Sequence, residues 1–127
     1  SIISNGVDIV ENLRIAKAIR NKNFLNRIFS KTEIKLSKKY SNRTNYFAKR
    51  FAAKEAFYKA LGTGIRFGFS FKDVSIKNDK YGKPLIHINR NIKKKMLKKL
   101  KLKKIHIHLS LSDEKKHSIA YVILDKF

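Results

Sequence analysis

The chain has 127 residues, the length of one ordinary domain, so we expect a single domain over residues 1–127. It has no cysteine, which excludes disulfides and thiolate chemistry, and no apolar run of about 18 residues or signal-like start, so we expect a cytoplasmic protein. Lysine and arginine number 31 against 9 for aspartate and glutamate, and the resulting net charge of +22 predicts an acidic partner.

The first third of the chain predicts a strand followed by helices. Residues 2–10 are rich in β-branched side chains and predict a first strand that ends at Asp8 and leads into a helix. The apolar side of this helix is predicted to hold Leu13, Ala16 and Ile19. Ser30 and Glu33 have capping-box spacing, which predicts that another helix begins there.

The segment from Tyr46 to Leu61 gives the clearest helix prediction. It is rich in alanine and contains neither proline nor glycine, and Gly62 follows it as a helix stop. A flexible glycine-rich loop over residues 62–70 and a strand over residues 71–76 are predicted next.

The second half of the chain predicts hairpins around one helix. Residues 78–84 read as a turn and residues 85–88 as a returning strand, after which Asn89 begins an amphipathic helix that runs through Leu100. Apolar and polar residues alternate over 105–112, and a hairpin leads into a last strand over 118–124. The order of elements predicts an α+β domain with a largely antiparallel sheet packed against helices.

Ionised side chains stand out in the central helix and the first strand. Glu55 and Lys59 are four residues apart and share a helix face, where they form either an ordinary surface pair or a ligand site. Asp8 is either a turn aspartate or part of such a site. Spacing alone leaves these alternatives open.

Four motifs resemble those of one enzyme family. FAAKEAF over residues 51–57, continued by KALGTG over 59–64, resembles the signature of the holo-[acyl-carrier-protein] synthases, a branch of the phosphopantetheinyl transferase superfamily. GVDIVE over 6–11, the turn over 78–84 and HLSLS over 108–112 are similar to further motifs of that family, in the same order. The resemblance covers nearly the whole chain and implies a phosphopantetheinyl transferase-like fold.

The resemblance implies transfer of the 4′-phosphopantetheine arm of coenzyme A to a serine of apo acyl carrier protein. Asp8 and Glu55 would bind Mg²⁺, or Mn²⁺ in its place, together with the coenzyme A diphosphate, a ligand set that suits Mg²⁺. Lys59 would contact the diphosphate and assist the leaving phosphate. Either Glu55 or a water that it orients would accept the serine proton.

The resemblance also assigns coenzyme A contacts outside the acidic pair. The implied positions are Arg50, Gly62, Gly82, Lys83, Pro84, His108 and Ser110. Many relatives carry a second histidine where this chain has Asp113, which puts a two-histidine site in doubt. His106 is expected to be structural.

Partners are implied in the same way. The acyl carrier protein would meet the basic residues that follow the first strand, namely Arg14, Lys17, Arg20 and Arg27. The family commonly forms homotrimers with coenzyme A between subunits and serves fatty acid biosynthesis, without nucleic acid or membrane as partner. The alternative is a small basic nucleic-acid-binding protein of ribosomal type, which explains the charge but not the motifs or the acids Asp8 and Glu55.

Overall fold

The structure is a computed structural model that describes residues 1–62 and 68–126. Its helices and strands confirm the predicted α+β class. In chain order the elements are β1 (Ile2–Glu11), α1 (Asn12–Ala18), α2 (Lys22–Ile28), α3 (Lys31–Ser37), α4 (Arg43–Leu61), a 3₁₀ turn (Phe71–Asp73), β2 (Val74–Asn78), β3 (Pro84–Ile88), α5 (Arg90–Leu100), β4 (His106–Asp113) and β5 (His117–Asp125).

The strands form two antiparallel sheets. The larger sheet has the order β1-β5-β4, and β2 pairs with β3 in a smaller one. In the larger sheet Asp8 lies opposite Ala120, and Val7 lies opposite Tyr121. Because neighbouring residues of a strand point to opposite faces, Asp8 and Val7 face opposite sides of this sheet.

Helix α4 covers one face of the larger sheet and forms the centre of the core. Its Phe47, Ala52 and Ala56 are fully buried, as are Ala120 and Val122 on β5. The alanines allow the helix and the sheet to approach closely, which brings polar groups on α4 within reach of β1. The opposite face of the sheet is not covered by any element that the structure describes, as the exposure of Val7 indicates.

Local signals at the helix ends are confirmed. Ser30 and Glu33 form the reciprocal capping box at α3, and Asn89 caps α5 by accepting a hydrogen bond from the backbone of Asn91. Gly62 ends α4 in a left-handed conformation with φ of 79°, which a residue without a Cβ adopts at little cost.

Other predictions were wrong in detail. The first strand continues to Glu11, so Asp8 lies within it rather than at its end. Leu13 is 61% exposed and Ile15 is buried instead, because the short α1 presents a different side to α4 than its periodicity suggested. A separate helix, α2, begins after Asn21, whose side chain accepts two backbone hydrogen bonds.

The region after α4 departs from the predicted pattern as well. Residues 71–73 form a 3₁₀ turn, and the strand begins only at Val74. The predicted loop covers residues 62–70. Its central part, residues 63–67 including Gly64, lies outside the residues that the structure describes. Among the helices described, none combines the length and hydropathy that a bilayer crossing requires.

Candidate active site

The central acidic pair is assembled where β1 crosses α4. Gly6 packs directly on the helix, since a Cβ there would lie 2.1 Å from the carbonyl oxygen of Ala56. Two residues before Gly6, Ser4 Oγ donates a hydrogen bond to the carbonyl of Ala60 at 2.6 Å. Asp8 follows on the same face of the strand and therefore points towards α4, on which Glu55 lies.

Asp8 and Glu55 are electrostatic neighbours. Burial raises the pKa of Glu55, and the negative charge of Asp8 raises it further, while Lys59 opposes both effects. Asp8 Oδ2 is buried and has no hydrogen-bond partner among the residues described. A fold that brings two carboxylates together and leaves one buried oxygen without a partner offers a divalent cation a ligand set.

Lys59 completes this group from the next turn of α4. Its Nζ donates to Asp8 Oδ1 at 2.9 Å and to the carbonyl of Val7 at 3.1 Å. The ion pair therefore runs between helix and strand, rather than along the helix to Glu55. More than half of the Lys59 side chain remains exposed, so the same amine is open to a second anion from solvent.

Arg50 defines a second part of the site. It is only 5% exposed, and its guanidinium lies 3.6 Å from the ring centroid of Tyr46. One guanidinium nitrogen donates to Asn78 Oδ1 at 3.0 Å, and Asn78 in turn donates to the carbonyl of Gly82 at 2.9 Å. Asn78 therefore links the helix arginine to the turn between β2 and β3.

A cavity of about 200 Å³ opens at this junction. Arg50, Gly82 and Pro84 line it, so sequence-predicted nucleotide contacts from distant parts of the chain meet in one place. Arg50 Nε is buried and unpaired within the part of the chain that the structure describes. The cavity thus offers the positive charge of Arg50 to an anionic ligand.

Comparisons with known proteins identify the family of this chain. Residues 4–122 match the family described as the 4′-phosphopantetheinyl transferase superfamily. The chain belongs to this superfamily. A holo-[acyl-carrier-protein] synthase of Pelagibacter ubique (strain HTCC1062) is 53% identical over 125 residues, covering 98% of each chain.

Solved structures extend the similarity to the fold of the superfamily. The holo-[acyl-carrier-protein] synthase from Neisseria meningitidis has a TM-score of 0.86 at 36% identity and covers 99% of this chain and 100% of its own. A holo-(acyl-carrier-protein) synthase from Bacillus anthracis str. Ames in complex with CoA (3′,5′-ADP) has a TM-score of 0.80 at 35% identity, covering 99% of this chain and 98% of its own.

Two predicted contacts of this phosphopantetheinyl transferase lie away from the acidic pair. His108 pairs with Ile123 and Ser110 with Tyr121, and Tyr121 also lies opposite Val7. Because residues paired across a ladder share a face, both side chains lie on the open face of the sheet. Asp8 is on the other face, so the single chain does not bring His108 or Ser110 close to Asp8.

The remaining predicted residues of this superfamily member are exposed. Gly62 ends α4, one turn beyond Lys59, and Lys83 lies in the β2–β3 turn, where Asp79 Oδ1 accepts its backbone N–H at 2.9 Å. The basic residues proposed to meet the carrier lie on and after α1, and all are exposed: Arg14, Lys17, Arg20 and Arg27.

The sequence did not reveal the buried ion pair between Lys54 and Glu33, which stabilises the helix that carries Glu55. Its Nζ is fully buried and donates to Glu33 Oε1 at 2.6 Å and to the carbonyls of Ile28 and Phe71 at 2.8 and 3.1 Å. Burial lowers the pKa of Lys54, and Glu33 counteracts this effect. The adjacent residue, Glu55, is thereby held on a helix fixed to α3 and the 3₁₀ turn.

The sequence also indicated no role for Asn78, which links Arg50 to the turn between β2 and β3. The only sequence signal was its place at the start of the resembling turn motif over residues 78–84. Its contact with Arg50 joins residues 28 positions apart, which periodicity cannot reveal.

Proposed function

We propose that this protein is a holo-[acyl-carrier-protein] synthase that acts through a single domain over residues 1–127. It transfers 4′-phosphopantetheine from coenzyme A to a serine of apo acyl carrier protein and releases adenosine 3′,5′-bisphosphate. The observation that carries the proposal is the group formed by Asp8, Glu55 and Lys59, two acids and an exposed amine from distant parts of the chain. Membership of the superfamily and the names of its relatives support the same activity.

The group Asp8 and Glu55 fits a divalent cation. Mg²⁺ prefers oxygen ligands and is usually held by one or two carboxylates together with substrate phosphates. The unpartnered buried oxygen of Asp8 meets this requirement. Bound there, Mg²⁺ or Mn²⁺ would neutralise negative charge on the coenzyme A diphosphate.

The chain's own residues perform the remaining tasks. The serine oxygen of the carrier attacks the β-phosphorus, the bond from that phosphorus to the bridging oxygen breaks, and the bisphosphate leaves with the bond's electrons. Lys59 Nζ offers positive charge to the diphosphate and stabilises the leaving oxygen. We assign the serine proton to the Glu55 carboxylate, directly or through a water that it orients.

Nucleotide binding is assigned to the cavity beside Arg50. Its guanidinium is held in place by Tyr46 and Asn78 and supplies fixed positive charge for phosphate. Gly82, Lys83 and Pro84 would contact the adenine side, mostly through backbone, while Gly62 would let the chain approach the ligand closely at the end of α4.

The open sheet face is the proposed subunit interface of the homotrimer that the family resemblance implies. It carries exposed apolar side chains at Val7 (52%) and Ile9 (60%), and Ile119 and Tyr121 lie opposite them on β5. A contiguous apolar patch of this kind is typical of a subunit interface. His108 lies on the same face, so a second subunit would be needed to combine His108 and Ser110 with Asp8.

The carrier is proposed to dock on the basic region that begins with α1. Exposed cations there complement an acidic protein and raise its rate of association. The activity would place the protein in cytoplasmic fatty acid and lipid biosynthesis.

The direct test is mass spectrometry of an apo acyl carrier protein from the same cell, incubated with coenzyme A, Mg²⁺ and the enzyme. The expected result is one added phosphopantetheine on the carrier serine, which is lost with Asp8→Asn and when Mg²⁺ is chelated. No mass gain with any carrier from that cell, together with RNA binding that persists well above physiological salt, would instead support the nucleic-acid-binding alternative.

A further inference from the structure

A group of metal-ligating side chains lies on the open sheet face, away from Asp8 and Glu55. His106 and His108 are two residues apart on β4 and share this face, and Asp125 on β5 lies directly opposite His106. One potential ligand atom from each of the three lies within 4.8 Å of the other two. No other group of this composition is found within the described residues.

One of the ligand distances is close to that of a tetrahedral metal site. Ligand atoms bound to Zn²⁺ at about 2.0–2.2 Å are separated by roughly 3.3–3.6 Å in a tetrahedron. His108 Nε2 and Asp125 Oδ2 are already 3.7 Å apart. Oδ2 is therefore the oxygen of Asp125 that is directed towards His108.

The strand framework fixes this arrangement. Histidines at positions i and i+2 of a strand project side by side, and the rings of His106 and His108 lie 5.8 Å apart in an edge-to-face contact. All three side chains reach solvent in the single chain and lie outside the core, so changes of rotamer can close the remaining ångström without disturbing it.

The chemistry favours a borderline transition metal over Mg²⁺. A chain with a net charge of +22 repels cations, and one exposed carboxylate is a weak site for a hard ion that prefers oxygen. Imidazole nitrogen suits Zn²⁺, Ni²⁺, Co²⁺ and Cu²⁺. Two imidazoles and one carboxylate leave the fourth tetrahedral position to water or to a second ligand.

We propose that His106, His108 and Asp125 form a binding site for Zn²⁺ or a similar transition-metal ion, distinct from the Mg²⁺ site at Asp8 and Glu55. The site lies at the end of the β4–β5 ladder, and β4 is an edge strand of its sheet. It is therefore displaced from the apolar patch around Ile9 and Ile119.

A functional consequence follows from His108, and this consequence rests on the proposed function. The imidazole of His108 is the proposed contact for coenzyme A phosphate, to which a ring nitrogen would donate its N–H. A metal ion would instead bind the lone pair of a deprotonated ring nitrogen, so the side chain can serve only one of the two ligands. Zn²⁺ and coenzyme A would then compete for one side chain, and the transferase would be inhibited by Zn²⁺ through a higher KM for coenzyme A.

The binding test is titration of the full-length protein with Zn²⁺ by calorimetry, with excess Mg²⁺ present to occupy the acidic pair. We expect one Zn²⁺ per subunit, and at least about a tenfold loss of affinity in both His106→Ala and Asp125→Asn. The matched control is His117→Ala, which removes a partly exposed histidine at the other end of β5 from Asp125 and should bind Zn²⁺ like the wild type. The visible absorption of bound Co²⁺ gives a second readout of tetrahedral coordination.

Unaltered Zn²⁺ affinity in His106→Ala or in Asp125→Asn would overturn the three-ligand site, as would the lack of saturable binding by the wild type. Inhibition is measured separately. Zn²⁺ should raise the KM for coenzyme A in the wild type but not in His106→Ala, which keeps His108. If Zn²⁺ binds as expected without raising this KM, the metal site stands and the competition at His108 is refuted.

Discussion

Gly6 and Ala56 are in direct backbone contact, at a distance that leaves no room for a Cβ on residue 6. Such a Cβ would lie 2.1 Å from the Ala56 carbonyl oxygen and 2.8 Å from the backbone nitrogen of Ala60. The contact sets the depth at which β1 packs on α4. It therefore also sets the position of Asp8, two residues along the same face of the strand, relative to Glu55.

Replacing Gly6 with alanine should lower both stability and turnover. The substitution reduces the entropy of the unfolded chain, worth about 0.4–1 kcal/mol in favour of folding. The clash is with helix backbone, which cannot rotate away, and overpacking of this kind costs typically about 1–3 kcal/mol. Urea unfolding should therefore show a net loss, and turnover by the remaining folded protein should fall because Asp8 moves away from Glu55.

The control for Gly6→Ala is Asn5→Ala on the same strand, whose side chain is exposed. It should change the free energy of unfolding by no more than about 0.5 kcal/mol. If Gly6→Ala were as stable and as active as this control, close packing of β1 on α4 would not be what positions Asp8.

Features set by local sequence could be predicted. The side chains of Ser30 and Glu33 each accept a hydrogen bond from the other residue's backbone N–H, within one helical turn. Gly62 ends α4 in the left-handed conformation that glycine adopts readily. The alternation along β4 likewise gave the correct exposed face, because a strand has a period of two residues. The acidic pair was inferred from motif resemblance, and the structure makes Asp8 and Glu55 neighbours.

Features set by tertiary contact could not be predicted. The burial of Ile15 instead of Leu13 depends on how a two-turn helix docks on α4, and seven residues give too short a pattern to fix its phase. The Glu33–Lys54 pair joins residues 21 positions apart. Nothing in the periodicity of either helix indicates that these charges meet.

Neutralising Glu33 should strongly destabilise the fold. Glu33→Gln leaves the buried ammonium of Lys54 without its counter-charge, and breaking a buried pair in this way costs about 3–5 kcal/mol. Burial lowers the pKa of Lys54, so in this variant the unfolded chain binds more protons and stability should rise with pH. Urea unfolding at several pH values measures both effects.

The double variant Glu33→Gln, Lys54→Met is to be compared in stability with the two single variants. It removes both charges and keeps similar volumes, so it should lose less free energy of unfolding than the sum of the single variants. Additive losses would show that the two side chains contribute independently.

Glu55→Gln should abolish turnover while stabilising the protein. Removing one of the two carboxylates proposed to bind Mg²⁺ should lower kcat by at least about a hundredfold, since charge stabilisation at such a site is worth several kcal/mol. Burial and Asp8 raise the pKa of Glu55, so ionising it disfavours the folded state. Glutamine is free of this penalty, and the variant should unfold at a higher urea concentration at neutral pH.

The gain in stability from Glu55→Gln should depend on pH with a definite sign. Between the unfolded and the raised folded pKa of Glu55 the native protein binds more protons, so wild-type stability falls as pH rises through that window. The advantage of Glu55→Gln should therefore shrink on acidification below the ordinary glutamate range. An advantage that grows at low pH, or undiminished turnover, would contradict the placement of Glu55 beside Asp8.

Arg14→Ala should weaken recognition of the carrier without affecting coenzyme A. Arg14 is exposed on α1, where it can meet an acidic surface, and such contacts act mainly on association and are screened by salt. The KM for the carrier should rise and become less sensitive to salt, while the KM for coenzyme A stays constant. Lys95→Ala on α5 removes the same charge from another exposed site and should leave both constants unchanged; an equal effect would indicate non-specific attraction.

Mixing the two impaired variants Glu55→Gln and His108→Ala should raise activity if the site combines residues of two subunits. Glu55 lies beside Asp8 of β1, on the sheet face that α4 covers. His108 lies on the opposite, open face of the sheet. Each active site would therefore take Glu55 from one subunit and His108 from the next. Coexpressed Glu55→Gln and His108→Ala chains that assemble at random leave about a quarter of such sites with both residues intact. Turnover at low coenzyme A should therefore exceed that of either variant alone. Mixed oligomers no more active than the separate variants would show that Glu55 of one subunit and His108 of another do not serve a shared site.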